Sequence, residues 1–226
     1  MILGAGDAPV LALDASSARA TVAVLRGARI VAEGVAAMRG GQGAADASAE
    51  RLLPAIARVL DAAGVRVADL AAVVCGAGPG GFTSLRIAAA TAKGIAEAVG
   101  APLGAISSLL LIAAGRDPAV DARYLVSVDA LRGERFTALV EVSAAAGSAR
   151  QIGESALVLA ADVPALADAS RACVIGPDGV LQAWPEARAV LRVRDAVQPV
   201  DRATWEPEYG RRVEAEVRRD AARLPV

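Results

Sequence analysis

Residues 76–94 read GAGPGGFTSLRIAAATAKG. The stretch follows an apolar run, LAAVVC at 70–75, crosses a dense glycine turn and enters a segment of small residues. Glycines allow positive φ and let another surface approach the main chain closely. Behind them, Ala88, Ala89, Ala90, Ala92, Gly94, Ala96 and Ala98 offer little side-chain bulk. One end of the stretch has the character of a ligand site, the other that of a surface for packing against a helix.

The flanking pattern predicts an α/β order. Residues 10–14, 21–25 and 30–35 read as strands, the last two joined by a tight turn with Gly27 at its first position. Leu52, Leu53, Ile56, Val59 and Leu60 recur at helical spacing, and Gly64 stands where a C-terminal cap belongs. Pro54 predicts a kink or a restart of that helix. A strand over 70–75 and a helix over 83–99 follow, with Thr83 or Ser84 as N-cap and Gly100 beyond the end. Residues 102–106 read as a strand, and Ser107 or Ser108 starts a helix running to about 115.

The second half begins as the first does. VLALDASSARATVAVL (10–25) can be laid over LVSVDALRGERFTALVE (125–141), matching Asp14 with Asp129, Arg19 with Arg135 and Thr21 with Thr137. Either this is a chance match or an α/β unit has been duplicated. In the second case the boundary falls near 116–123, giving subdomains of residues 1–118 and 119–226. Beyond it, 143–148 reads as a loop, 172–175 as a short strand, and the segment after Pro207 as a docked helix.

Composition narrows the function. Aromatics are only 3% of the 226 residues, so the core must be built from Ala, Val, Leu and Ile. A net charge of −1 argues against a free-standing nucleic-acid binder. The chain has no histidine, which removes imidazole bases, Ser-His-Asp triads and histidine metal sites. Cys75 and Cys173 sit in apolar runs and are expected as buried free thiols. Neither a secretory leader nor a membrane-spanning run is visible, so a cytoplasmic location is expected.

Two kinds of site remain. Gly78, Gly80, Gly81 and Thr83 could cradle a phosphate at a helix N-terminus, although GxxxxGK[ST] and GxGxxG are both unfulfilled. Asp14 and Asp129 each end an apolar strand, where an acid can hold hydrated magnesium or simply accept backbone hydrogen bonds in its turn. Ser16, Ser17, Ser107 and Ser108 have no visible base to activate them. The helix over 83–99 carries charge only at Arg86, Lys93 and Glu97, which predicts burial on several sides. With the helix containing Leu52 and Ile56 it could form half of an interchain bundle.

GAGPGGFTSLRIAAATAKGIAEAVGAPLGAISSL (76–109) closely resembles GPGSFTGLRIGLATAKGLA…G(I/V)P…VSSL, the signature of the bacterial TsaB (YeaZ) family. LALDASSARATVAVL resembles that family's opening strand-turn-strand, VDALRGERFTALV its second-half opening and EPEYGR its C-terminal segment. The likeness runs through most of the chain in order and is loose between 147 and 199.

The resemblance implies an α/β, duplicated RNase H-like fold of the actin-like ATPase (ASKHA) class with two subdomains. It implies a non-catalytic subunit for threonylcarbamoyladenosine modification of tRNA. That subunit activates TsaD, the related chain that carries the metal, together with an ATPase, TsaE. Pairing with TsaD or with a second copy is expected through helices at 45–63 and 83–99. The residues implied are Leu52, Ile56, Arg86, Ala89, Ala92, Lys93 and Ala96. No catalytic residue, metal or cofactor of its own is expected. ATP and magnesium enter only within the complex, and tRNA is met indirectly through it. The family histidine of His-Ser-Glu-x-Leu-Leu-Pro is Ser48 here, which leaves any role of that histidine without a carrier. Two rival classes stand beside this one. A nucleotide-using ATPase or kinase would place Asp14 and Asp129 around magnesium. A peptidase would lack both a histidine and a metal motif.

Overall fold

The computed structural model describes residues 6–38, 47–118 and 120–209. The first unit opens with β1 (Pro9–Asp14), β2 (Arg19–Arg26) and β3 (Arg29–Ala37), an antiparallel meander. Gly27 takes the left-handed φ of +53° in the β2–β3 turn, a conformation that costs glycine little. Then come α1 (Ala47–Ala63), β4 (Ala72–Gly76), α2 (Phe82–Val99), β5 (Leu103–Ile106) and α3 (Ser108–Ala114). The order β5-β4-β1-β2-β3 makes one mixed sheet in which β1, β4 and β5 are parallel.

The second unit repeats the plan. A meander of β6 (Ala122–Asp129), β7 (Glu134–Ser143) and β8 (Ser148–Leu159) is followed by α4 (Val163–Ser170), β9 (Cys173–Gly176) and β10 (Leu181–Gln182). Strand β9 lies parallel to β6 as β4 lies parallel to β1, and the sheet order is β10-β9-β6-β7-β8. The two hairpins differ in register. Asp14 faces Thr21 across β1–β2, whereas Asp129 faces Arg135, and Thr137 faces Ser127. Late in the chain, β11 (Gln198–Val200) returns to the first sheet and pairs with β5.

Both helices on the outer face of the first sheet are amphipathic with glycine stops. On α1, Leu52, Ala55, Ile56, Val59 and Leu60 are buried against Leu11, Leu13, Val22 and Val24. Gly64, at φ +61°, ends it, with the Val65 N–H bonded to the Leu60 carbonyl at 3.0 Å. Gly100 ends α2 in the same way, with Ala101 donating to Ala96 at 2.9 Å. The helix does not restart at Pro54, for α1 runs through it. Helix α2 begins one residue earlier than expected. Gly81 is its N-cap, and the Ser84 hydroxyl instead donates to the Gly81 carbonyl at 3.0 Å.

The opposite face of the first sheet joins the second unit. Helix α3 is buried around its whole circumference and apolar from Leu109 onward because it lies between the sheets, packed with Ala12 and Ala23 on one side and Val126, Ala138 and Val140 on the other. A short 3-10 helix, Ala187–Arg192, closes the same core. Cys75 is buried as expected, but Cys173 is exposed, since β9 begins at the sheet surface before entering the core. The expected C-terminal helix lies almost wholly outside the described residues. Among those residues no helix is long and apolar enough to cross a membrane.

Candidate functional site

Asp14 sits at the C-terminal end of β1, fully buried. Its Oδ1 accepts the Ser16 N–H and the Ser16 hydroxyl, both at 2.8 Å, and its Oδ2 accepts the Ser108 hydroxyl at 2.5 Å. Ser108 in turn accepts the Gly78 N–H at 2.9 Å, and its own N–H donates to the Gly78 carbonyl. The carboxylate thus terminates a relay running from the glycine turn through the start of α3. Burial raises the Asp14 carboxyl above its usual range, and the three bonds oppose that rise.

The glycine turn is filled by the chain itself. A Cβ on Gly76 would lie 1.8 Å from Asp14 Oδ2, and one on Gly80 would lie 2.2 Å from the Ser16 carbonyl oxygen. Gly78, at φ +93°, faces the Glu208 carbonyl, where a Cβ would stand at 2.4 Å. The Gly81 N–H donates to Ser16 at 2.7 Å, and Glu208 donates to the Ala77 carbonyl at 2.7 Å. These glycines therefore admit backbone and carboxylate from other parts of this chain. Gly78, Gly80, Gly81 and Asp14 come together as a closed hydrogen-bonded knot. Thr83 stands apart from it, exposed in the first turn of α2.

Asp129, the repeat partner of Asp14, is exposed and accepts the Leu131 N–H at 3.0 Å. The two acids thus differ in burial and partners despite their matching positions. Arg135 forms a bidentate ion pair with Asp178 and also donates from Nε to Ser127 at 2.9 Å. That guanidinium holds the Asp178 carboxyl below its ordinary value. Arg19, its sequence counterpart, stacks over Trp184 with Cζ 5.1 Å from the ring centre. Among the described residues no group of three or more acid or thiol side chains is placed to hold a metal ion.

A cleft of about 770 Å3 opens where β5 and β11 meet the start of β8. Ser107, Leu110, Arg150, Arg194, Trp205 and Glu208 are among its lining, and none of the sequence-predicted site residues reaches it.

The helix surface differs from the expectation in a specific way. Leu52, Ile56, Ala89, Ala92 and Ala96 are all buried within this chain, at most 5% exposed, so they cannot be the side chains a partner touches. Leu52, Ile56, Ala92 and Ala96 face inward because α1 and α2 use their apolar stripes to cover the sheet. Among the residues left outward are Leu53 and Ala57 on α1, with Arg86, Ala90, Gly94 and Ala98 on α2. Leu53 is 54% exposed. Ala90, Gly94 and Ala98 are spaced by four and form a shallow lane along which another backbone can come close. Lys93 is half-buried, its Nζ 5.8 Å from the Trp205 ring centre.

The family model described as TsaD, tRNA N6-adenosine threonylcarbamoyltransferase, matches residues 36–164, more than half of the chain. The chain belongs to this family, in its TsaB (YeaZ) branch. It is 31% identical over 133 residues to the tRNA threonylcarbamoyladenosine biosynthesis protein TsaB of Bacillus subtilis, covering 58% of this chain and 55% of that one. With the Escherichia coli protein of the same description it shares 34% over 90 residues, 39% of each. The matched regions span about half or less of those relatives. A Pseudomonas aeruginosa structure, described as an uncharacterized protein with similarity to peptidase YEAZ, superposes with a TM-score of 0.72 at 26% identity. It covers 90% of this chain and 99% of that one. The fold is the duplicated RNase H-like α/β fold of the actin-like ATPase class, and the two meanders repeat one strand plan.

Proposed function

We propose that this chain acts in threonylcarbamoyladenosine modification of tRNA as a non-catalytic subunit that pairs with a TsaD-type chain and activates it. The single observation that carries this reading is the outward face of α1 and α2. It presents a lane of Ala90, Gly94 and Ala98 on α2, and exposed Leu53 and Ala57 on α1, while the inward stripe is already used. A small-residue lane on a well-packed helix suits close helix–helix packing in a four-helix bundle. The filled glycine turn supports the same reading, because its donors and Asp14 already serve the chain's own groups. In this scheme tRNA contacts and any need for ATP and magnesium belong to the assembled complex, with a TsaE-type ATPase as third member.

The test is co-purification with the TsaD-type subunit, coupled to an assay of threonylcarbamoyladenosine in tRNA. Gly94→Arg should abolish both pairing and modification while the isolated chain melts at its ordinary temperature. If that variant still pairs and supports modification, the proposal falls.

A further inference from the structure

The segment after β11 lies across α2 like a strap. Arg202 donates to the Ala96 and Ala101 carbonyls at 3.0 and 2.9 Å and pairs with Glu97 at 3.2 Å. Further along, Trp205 receives Lys93, the only lysine in the sequence, and Glu208 bonds Ala77. The strap reaches the N-terminal end of α2 at Tyr209. There the Tyr209 and Phe82 ring centres are 4.8 Å apart, tilted at 48°. The Arg86 guanidinium carbon lies 4.3 Å from the Phe82 ring centre and 5.5 Å from that of Tyr209. Arg86 Nε donates to Tyr209 Oη at 3.4 Å, and Tyr209 Oη donates to Glu206 at 2.9 Å. Phe82 stays 44% exposed.

Arg86 is thereby held by two aromatic faces without being neutralised. Among the described residues no carboxylate is paired with it, although at least eight other arginines here have carboxylate partners. An arginine stacked on rings keeps its planar N–H edges for a carboxylate, and its rotamer freedom is already spent before any partner arrives. Arg86 lies one helical turn from Ala90, at the end of the small-residue lane.

Building on the docking reading above, we infer that Phe82 and Tyr209 are positioning residues that preset Arg86 to bind a carboxylate on the partner's helix. The C-terminal strap is then part of the docking surface, although Tyr209 lies 123 residues from Arg86. Its role there is to fix the direction in which one side chain is presented.

The experiment measures affinity of the full chain for the TsaD-type subunit by calorimetry. It compares Tyr209→Ala, Tyr209→Phe, Arg86→Ala and the Tyr209→Ala/Arg86→Ala double variant. Tyr209→Ala should weaken binding roughly three- to tenfold, and Tyr209→Phe, which keeps the ring, should stay near wild type. Tyr209→Ala should add nothing in the Arg86→Ala background. Equal losses with and without Arg86 would mean that Tyr209 only holds the strap down, and would overturn the inference. Unchanged affinity in Tyr209→Ala would overturn it too. Should Tyr209→Ala fail to fold, Tyr209→Leu retains apolar packing without a π face, and the same expectations apply. Pairing that survives Gly94→Arg removes the docking reading and this inference together. Pairing lost in Gly94→Arg but indifferent to Tyr209 removes this inference alone.

Discussion

At the scale of single residues, Asp14 and Gly76 depend on each other. The carboxylate occupies the space that any side chain on residue 76 would need, so Gly76→Ala should cost at least about 2 kcal/mol in denaturant unfolding. Asp14 should also leave a mark in the pH dependence. Burial raises its carboxyl above the unfolded value near 4, so the native chain holds a proton there more tightly than the unfolded chain. Its contribution is full below that value and is lost as pH rises through the native pKa. Asp14→Asn lacks this dependence, so wild type should gain stability relative to the variant as pH is lowered through the native pKa toward the unfolded value. Unfolding curves whose difference is flat in pH would refute this. Beside it, burial and the Asp14 charge push the Cys75 thiol far up, whereas Cys173 is exposed. Alkylation of the native protein should therefore modify Cys173 alone, and denaturant should release the second thiol, as mass spectrometry would show.

At the scale of elements, α2 has two faces made of nearly the same residues. Ala88, Ala92 and Ala96 lie on the core, whereas Ala90, Gly94 and Ala98 face outward. A bulky substitution at Ala92 should therefore destabilise the monomer by about 1–3 kcal/mol rather than block pairing selectively. Gly94 has open space where a Cβ would stand and no positive φ. Gly94→Ala should accordingly raise stability by about 0.5–1 kcal/mol in thermal or denaturant melts. The existence of α1, α2 and α3 and their glycine stops was legible in the sequence, because apolar spacing and Gly64 and Gly100 are local signals. Which alanine stripe turns inward was not legible. Alanine carries almost no hydrophobic contrast, so the sheet beneath decides. β8 was invisible for a related reason: as an edge strand exposed along most of its length, it has little apolar alternation to read.

At the scale of the whole molecule, the halves are held by polar contacts as well as by the shared core. Thr21, buried in β2, donates its hydroxyl to the Pro185 carbonyl and accepts the Ala187 N–H, both at 2.9 Å. Thr21→Val keeps the shape and strands both backbone groups, so it should cost about 2 kcal/mol, read from denaturant midpoints. Sequence alone determined β1 to β7, β9, the first three helices and the glycine turn, and it raised the internal repeat, since each is written in residues close together along the chain. Local spacing decides such features through backbone sterics and the alternation of apolar positions. Only the tertiary structure decided what those features are for. It brought Ser108 and Glu208 into the glycine turn, turned one alanine stripe of α2 inward, and carried Tyr209 back to Arg86. Those outcomes depend on which distant groups compete for the same space and the same hydrogen bonds, and no window of neighbouring residues contains that competition.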